Sequence, residues 1–289
     1  MYCVESVYKW VETHSESSIR RIHFLSSFEM TIIGQTKQVP HLLLSPGDIS
    51  PVVLVVGDPF RTEILAKFAD GGYKELKFNR EYRTFNVTHK GQQITICSHG
   101  IGGPGAAICF EELIQVGAKV IIRLGTCGSL HPKKIGQGDV VITTGAIRED
   151  GATQYLVPSG FPAVADLDVT SKLRKVANNA EYSDGKTYTG ITYTSGTFYP
   201  GPTKGDNLPL CAASGALIVE METSCLLTIA SIRGIKAGAM AAVDGSPFEW
   251  GEGNYDPTGA KVNKAKEHMF KVGLDTAAEL VQEQIWLGD

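Results

Sequence analysis

The chain has 289 residues, 43% of them hydrophobic and 20% charged, with a formal net charge of −4. This is ordinary globular composition, and a mildly acidic chain with dispersed lysine and arginine excludes a dedicated nucleic-acid surface. No apolar stretch is long enough to span a bilayer, so no membrane partner is expected.

The first segment, residues 1–40, does not fit a targeting sequence. It lacks a long apolar core and carries four glutamates. This argues against both a secretory signal and an acid-poor transit peptide. We interpret residues 1–40 as an N-terminal extension of unknown role and residues 41–289 as one domain.

The cysteine pattern indicates the redox environment. No two of the six cysteines form a Cys-x-x-Cys pair, and most lie inside apolar runs. Free, buried thiols in a reducing compartment are expected, rather than a disulfide framework or a zinc site, so we predict a cytoplasmic protein. The six are Cys3, Cys97, Cys109, Cys127, Cys211 and Cys225.

From residue 51 onward, apolar β-rich runs alternate with helix-like stretches, and a long amphipathic stretch at 260–285 closes the chain. This alternation predicts an α/β domain with a largely parallel or mixed sheet whose faces are covered by helices. The segment FNVTHKGQQITICS predicts an antiparallel hairpin that turns at Lys90-Gly91. The strand-like runs include 51–57, 92–98, 118–125, 138–147, 190–196 and 235–245.

The residues that follow these strands are the candidates for a site, because open α/β sheets bind ligands beyond the carboxyl ends of their strands. Arginines, a hydroxyl and glycine-rich turns at these ends could hold an oxyanion. Asp244, read alone, is only an acid where a strand turns into a loop. The strand-end groups are Gly57-Asp58-Pro59 with Arg61, Ser98-His99-Gly100, Arg123 with Gly125-Thr126, and Asp244-Gly245.

The segment GIGGPG at 100–105 matches the dinucleotide fingerprint G-x-G-x-x-G, and it follows a strand and opens a helix. The next strand ends in Arg and Thr instead of the acid that would hold a ribose, and Pro104 lies inside the turn. We interpret the segment as a tight turn at a helix N-terminus. An NAD(P)-dependent enzyme remains a distant alternative.

Seven motifs occur in one order: VVGDPFR, NREYRTF, SHGIGGPG, GAKVIIRLGTCGSL, GFPAVADLDV, GTFYPG and VEMET. Together they resemble the nucleoside phosphorylase family, which includes hexameric purine nucleoside phosphorylases and uridine phosphorylases. The resemblance runs from residue 41 to the C-terminus. It implies a single-domain α/β/α sandwich with a mixed, partly barrel-like central sheet. It also implies phosphorolysis of a ribonucleoside to free base and ribose 1-phosphate, with inorganic phosphate as co-substrate and neither a cofactor nor a metal.

The resemblance implies a phosphate site made by two strand-end loops and one residue of a partner subunit. Guanidinium groups suit phosphate because they can donate paired hydrogen bonds. Arg123 lies in the apolar run VIIRLG, where a charge must be paired or serve a site. Read alone, Arg61 would be a surface residue and Arg80 a structural ion pair. The implied phosphate-binding residues are Gly57, Arg61, Arg123, Gly125 and Thr126, with Arg80 reaching in from the partner.

The resemblance likewise implies a nucleoside site. Glu222 would accept hydrogen bonds from the 2′- and 3′-hydroxyls, and Met221 would pack on the sugar. Read alone, the acids of VEMET would only mark a helix start. The implied nucleoside-binding residues are Glu220, Met221 and Glu222 for ribose, His41 for a neighbour's 5′-hydroxyl, Phe198 stacked on the base, Trp250 on a closing loop, and Asp244.

In the purine branch of the family, an Asp at the position of Asp244 hydrogen-bonds or protonates N7 of the departing base, which is general-acid catalysis. The resemblance therefore implies Asp244, Glu222 and Arg123 as catalytic residues. The uridine branch reads uracil with a Gln-x-Arg, where this chain has Pro202-Thr203-Lys204. Purine nucleosides such as inosine and guanosine are favoured, and uridine phosphorylase is the alternative.

A non-catalytic nucleoside-binding or storage protein is a more distant alternative, which the retention of Arg61, Arg80, Arg123 and Glu222 disfavours. The implied assembly is a homodimer with shared sites, and a hexamer of three dimers is left open. Some uridine enzymes bind a monovalent cation through a hydroxyl at the position of Gly105. That site is not carried over to this chain.

Overall fold

The computed structural model describes residues 38–252 and 255–287. The predicted N-terminal extension lies, up to residue 37, outside the described residues. Its boundary at residue 40 and its role therefore remain predictions. No helix in the described part of the chain is long and apolar enough to cross a membrane.

Ten strands and six α-helices make up the described ranges, with short 3₁₀ turns at Thr153–Tyr155, Trp250–Glu252 and Ile285–Leu287. The strands are β1 (Val52–Val56), β2 (Tyr73–Asn79), β3 (Tyr82–His89), β4 (Gln92–Ser98), β5 (Val120–Ser129), β6 (Val140–Glu149), β7 (Ala163–Val164), β8 (Thr187–Ser195), β9 (Ala216–Glu220) and β10 (Lys236–Gly245). The helices are α1 (Pro59–Ala66), α2 (Gly103–Gln115), α3 (Leu167–Asn179), α4 (Leu208–Ala213), α5 (Thr223–Arg233) and α6 (Ala260–Glu283).

The sheet is mixed and partly closed, as predicted. Strands β4, β1, β5 and β10 are parallel neighbours. Five strands close a barrel in the order β5, β10, β6, β8, β9 and back to β5. Strand β5 is long enough to belong to both the barrel and the open sheet. Along one edge, its residues Val120–Arg123 pair with β1 and its residues Gly128–Ser129 pair with β9, while β10 pairs along the other edge.

Helices cover both faces of the open part of the sheet. Side chains alternate along β1: Val52, Leu54 and Val56 pack in one apolar cluster with residues of α3 and α6. Val53 and Val55 pack in another, with residues of α2 and α5. Alternation with both faces buried is what a continuous apolar strand requires. The predicted α/β/α sandwich is therefore confirmed.

The hairpin prediction is also confirmed. Strands β3 and β4 are antiparallel, with His89 opposite Gln92. The two loop residues have positive φ, +48° at Lys90 and +74° at Gly91, as the common two-residue hairpin turn requires. The five cysteines in the described ranges are buried and free, as expected, and Cys3 lies outside them.

Candidate active site

Parallel pairing brings the carboxyl ends of β1, β4, β5 and β10 to one edge of the sheet, where a cavity of about 1420 Å³ opens. Three of the predicted site residues, His41, Arg80 and Gly125, do not line it. The predicted residues that do are Gly57, Arg61, Arg123, Thr126, Phe198, Glu220, Met221, Glu222, Asp244 and Trp250.

Arg123, on β5, is 4% exposed and lies between two carboxylates. Its Nη2 is 2.5 Å from Glu222 Oε2 and 3.1 Å from Glu220 Oε2, and its Nε donates to Glu220 at 3.2 Å. Burial alone would lower its pKa, but Glu222 and Glu220 raise it above the ordinary value. The arginine is thus paired, as a buried charge must be, and it is held as a cation at the cavity wall.

Glu220 and Glu222 have different surroundings. Glu220 accepts hydrogen bonds from the Thr194 hydroxyl at 2.6 Å and from the backbone N–H groups of Glu222 and Thr223 at 2.8 Å. Glu222 accepts from Gly102 N–H at 2.6 Å, and burial raises its pKa while Arg123 opposes the rise. Glu220 thus has more partners than Glu222, which contacts Arg123 and Gly102 through short hydrogen bonds.

Gly125 does not line the cavity, but its lack of a side chain leaves room for the guanidinium of Arg123. A Cβ at this position would lie 2.5 Å from Arg123 Nη1, inside van der Waals contact, so the guanidinium would have to shift. The guanidinium thus lies directly over Gly125. Gly125 leaves room for the arginine that crosses it, and its predicted part in phosphate binding stays a prediction.

A second arginine, Arg61 on α1, lines the cavity, and burial lowers its pKa. Asp58 caps the helix by accepting from Phe60 N–H at 2.8 Å. Helix capping in the first turn fixes where Arg61 projects. Two guanidinium groups, Arg61 and Arg123, therefore face one cavity whose rim includes Gly57 and Thr126.

Asp244, at the end of β10, is buried, and burial raises its pKa to about 6. A hydrogen bond from Thr126 and the charges of Lys266 and Arg61 limit the rise. A carboxyl group with such a pKa can carry a proton near neutral pH and release it, as a general acid must. The strand-end acid thus has the environment of a functional group.

An aromatic wall stands beside Asp244. Phe198 and Trp250 are stacked, with ring centroids 4.9 Å apart and planes inclined by 20°. Tyr255 lies 5.5 Å from Trp250, and Tyr199 lies 5.0 Å from Phe198. Planar rings at a cavity wall suit a planar heterocycle.

His41 and Arg80 lie together, away from this cavity's lining. Asn79 Nδ2 donates to the backbone oxygen of His41 at 2.8 Å. Arg80 follows Asn79 in the β2–β3 turn with φ +55° and is exposed. The structure therefore places the two residues predicted to serve a neighbouring subunit on one patch.

Sequence reasoning missed several residues of the site. Tyr255 lines the cavity in a loop without a motif that could have indicated it. His99 was noted at a strand end but given no role, yet it is buried with Nε2 3.4 Å from Arg123 Nη1. Burial and Arg123 lower the pKa of His99 well below its ordinary value, so it stands as a neutral neighbour of the arginine.

The G-x-G-x-x-G segment is a tight turn, as interpreted. Gly102 has φ +88° and its N–H is engaged by Glu222. A Cβ at Gly103 would lie 2.4 Å from the backbone oxygen of Asp150. Gly102 is therefore favoured by its positive φ, and Gly103 by the close approach of the Asp150 backbone at the start of α2.

Comparisons with known proteins agree with this geometry. The model of the phosphorylase superfamily matches residues 51–279. Purine nucleoside phosphorylase of Plasmodium falciparum (isolate 3D7) is 42% identical over 240 residues, 83% of this chain and 96% of that protein. Uridine phosphorylase of Escherichia coli (strain K12) is 33% identical over 255 residues, 83% of this chain and 97% of that protein. The crystal structure of purine nucleoside phosphorylase from Toxoplasma gondii with immucillin-H gives a TM-score of 0.82 at 41% identity, covering 87% and 100% of the two chains.

Proposed function

The chain belongs to the phosphorylase superfamily, to its nucleoside phosphorylases, and we propose that it cleaves the N-glycosidic bond of purine nucleosides with phosphate. The products are the free base and ribose 1-phosphate, and inosine and guanosine are the favoured substrates. The observation that carries the purine assignment is Asp244, a buried acid with a pKa of about 6 beside an aromatic wall.

Phosphate is the nucleophile, and no cofactor is needed. Arg61 and Arg123 bind its oxygens, with Gly57, directly after β1, and Thr126, within β5, beside them. A phosphate oxygen attacks C1′ of the ribose as the bond from C1′ to the base breaks, through an oxocarbenium-like transition state. The two arginines orient the attacking anion and neutralise its charge.

Ribose is held by the acids and methionine after β9. Glu222 exchanges part of its contact with Arg123 for the 2′- and 3′-hydroxyls once phosphate occupies the arginine. Met221 packs on the sugar, and Glu220 keeps the turn in place. Contacts to these hydroxyls that strengthen in the transition state would increase turnover.

The base lies against Phe198 and Trp250, with N7 towards Asp244. As the C1′–N9 bond breaks, its electron pair moves into the purine ring and the carboxyl proton of Asp244 passes to N7. The base leaves neutral, and Asp244 is left ionised. Positioned proton transfer of this kind typically contributes about 10²–10⁴-fold.

Uridine is the second candidate, because TFYPG is like the uridine branch and a uridine phosphorylase is among the relatives. The Gln-x-Arg that would read uracil is absent, and Lys204 does not replace an arginine fork. The deciding experiment compares kcat/KM for inosine, guanosine, adenosine and uridine in phosphate buffer. A wild-type enzyme that cleaves uridine far better than inosine would make it a uridine phosphorylase.

We further propose a homodimer with shared sites, or a hexamer of three such dimers, acting in cytoplasmic nucleoside salvage. The support is that His41 and Arg80 form one patch and do not line their own subunit's cavity. In this arrangement each subunit lends its patch to the partner's phosphate and 5′-hydroxyl. Sedimentation of the purified chain measures the assembly.

A further inference from the structure

The buried acid Glu112 lies on α2, outside the cavity and outside every motif used above. Its side chain is 6% exposed, whereas that of His41, 71 positions earlier in the chain, is 37% exposed. A buried carboxylate is retained only when hydrogen bonds compensate for its lost hydration. The groups that compensate Glu112 therefore indicate what it holds.

Within the described residues, the groups that hydrogen-bond to Glu112 belong to His41 and its neighbour Leu42. The backbone N–H of His41 lies 3.2 and 3.1 Å from the two carboxylate oxygens, and that of Leu42 donates at 2.8 Å. His41 Nδ1 lies 2.6 Å from Oε1. One carboxylate thus holds both the backbone and the ring of His41.

This contact determines the tautomer of the ring. A carboxylate can only accept hydrogen bonds, here from the backbone N–H groups of His41 and Leu42, so Nδ1 carries the hydrogen that it shares with Oε1. In a neutral imidazole the other nitrogen, Nε2, is then the acceptor. In that form, the ring nitrogen not bound to Glu112 presents a hydrogen-bond acceptor.

The same patch is braced from a second side. Asn79 Nδ2 donates to His41 O at 2.8 Å, directly before the exposed Arg80. The ring edge of His41 stands against Tyr82, 6.5 Å between centroids, and Tyr82 donates to Gly105 O at 3.0 Å. His41 is therefore fixed in backbone, ring plane and tautomer before any ligand arrives.

We propose that Glu112 is a positioning residue that holds His41 with Nε2 directed outward, to accept a hydrogen bond from the 5′-hydroxyl of a nucleoside bound in the neighbouring subunit. This rests on the proposed function, in which His41 serves the partner's site. Glu112 touches neither substrate nor phosphate, and acts only through the imidazole.

The test compares inosine with 5′-deoxyinosine in the wild type, Glu112→Gln, His41→Gln and the double variant. Glutamine keeps the size of Glu112 and one acceptor. Each single variant is expected to lower kcat/KM for inosine by about threefold to tenfold, the value of one hydrogen bond, and to leave 5′-deoxyinosine within about twofold. The double variant should be no worse than His41→Gln alone.

The matched control is Glu111→Gln on the same helix, because Glu111 pairs with Arg233 at 2.8 Å instead of with His41. It should not change the ratio between the two substrates. Equal losses on both substrates in Glu112→Gln, or losses that add to those of His41→Gln, would overturn the inference. They would leave the proposed function standing, since wild-type phosphorolysis would be intact.

A second measurement does not depend on turnover. The ¹⁵N shifts of the His41 ring, assigned by their loss in His41→Gln, should show hydrogen on Nδ1 in the wild type. They should move towards the other tautomer in Glu112→Gln, where an amide N–H can donate to Nδ1. Unchanged ring shifts in Glu112→Gln would refute the role of Glu112. Absence of any nucleoside phosphorolysis in the wild type would instead refute the proposed function.

Discussion

Burial gives Asp244 a proton affinity that an exposed aspartate lacks, and in the proposed mechanism this property separates the two substrate classes. A purine has N7 to receive the proton as the base leaves, whereas uracil has no corresponding ring nitrogen. Its neighbours Lys266 and Arg61 oppose the effect of burial, so the pKa rises only to about 6. In the proposed mechanism, proton transfer at neutral pH depends on a balance of desolvation against two cations.

The kcat/KM values of the Asp244→Asn variant test this role of Asp244. Inosine kcat/KM should fall by roughly 10²–10⁴-fold, while any uridine activity changes much less. In the wild type, kcat/KM for inosine should decline as pH rises through the Asp244 pKa of about 6, because the acid loses its proton. The variant should lack that decline. Equal losses on inosine and uridine would remove Asp244 from the proton-transfer role.

The same variant has a predictable effect on stability. The folded pKa of Asp244 is raised from 3.8 to about 6, so the unfolded state ionises first as pH increases. Its contribution to stability is complete below about pH 4 and is lost by about pH 6. At pH 8, Asp244→Asn should therefore be more stable by up to about 3 kcal/mol, and it should differ little at pH 4. Thermal unfolding at fixed protein concentration measures this, and a lower Tm at pH 8 would contradict it.

Gly125 offers a second test, because the Arg123 guanidinium occupies the space a Cβ would need. Gly125→Ala should displace the fork and raise the KM for phosphate by about tenfold or more, since small misplacements of a binding group are costly. The control is Gly136→Ala, where a Cβ would meet nothing within 4 Å. Steady-state kinetics with varied phosphate measure both, and equal KM values would reject the steric argument.

Hydrogen bonds from other elements hold the loop that follows β10 where it passes Asp244. Gln137 Nε2 donates to the backbone oxygens of Asp244 at 3.2 Å and Asp256 at 3.3 Å. Lys266 Nζ donates to Pro257 O at 2.5 Å from α6. These contacts join a loop, a strand end and a helix next to Tyr255 and the aromatic wall.

Removal of the Gln137 hydrogen bonds should loosen the aromatic wall without removing any group that contacts substrate. Gln137→Ala loses two hydrogen bonds of about 1 kcal/mol each, so the nucleoside KM should rise by about threefold to tenfold with a smaller change in kcat. Gln282→Ala, at an exposed position on α6, is the control. A fall in kcat with unchanged KM would show that these hydrogen bonds serve the chemical step instead.

At the scale of the whole molecule, the barrel and the open sheet meet at β5, and the cavity lies where they meet. Strand β5 carries Arg123 opposite Val55 of β1 and Ala239 of β10, so both halves of the fold fix the arginine. The His41 and Arg80 patch, by contrast, lies apart from the lining of this cavity. A complete site would then need a second subunit.

Subunit mixing tests that requirement. Arg61→Ala and Arg80→Ala each remove one phosphate contact, from opposite subunits of a shared site. Hybrids of the two inactive variants would contain some sites with both arginines, so activity should partly return. Inactive hybrids, with exchange proven by tagged subunits, would show that each subunit works alone.

The sequence determined the features that depend on near neighbours in the chain. Strands, helices and the Lys90-Gly91 turn follow from periodicity and backbone preference, and strand-end rules identified Arg61, Arg123 and Asp244 as candidates. Ordered motifs supplied the family and, through it, the barrel-like sheet and the proposed roles of Glu222 and Phe198. Composition alone would not have indicated the family, the barrel-like sheet or these roles.

Only the tertiary structure decided which of these groups meet. Arg123 lies between Glu220 and Glu222, nearly a hundred positions later in the chain. Phe198, in the connection after β8, is stacked on Trp250, in the connection after β10. Tyr255 lines the cavity, although no sequence motif marks it. Glu112, buried on α2, holds the ring of His41. Local propensity acts over a few residues, whereas such pairings depend on how distant strands are ordered in the sheet. Burial, which raises the pKa of Asp244 to about 6, is likewise a property of the packed chain and not of the residue.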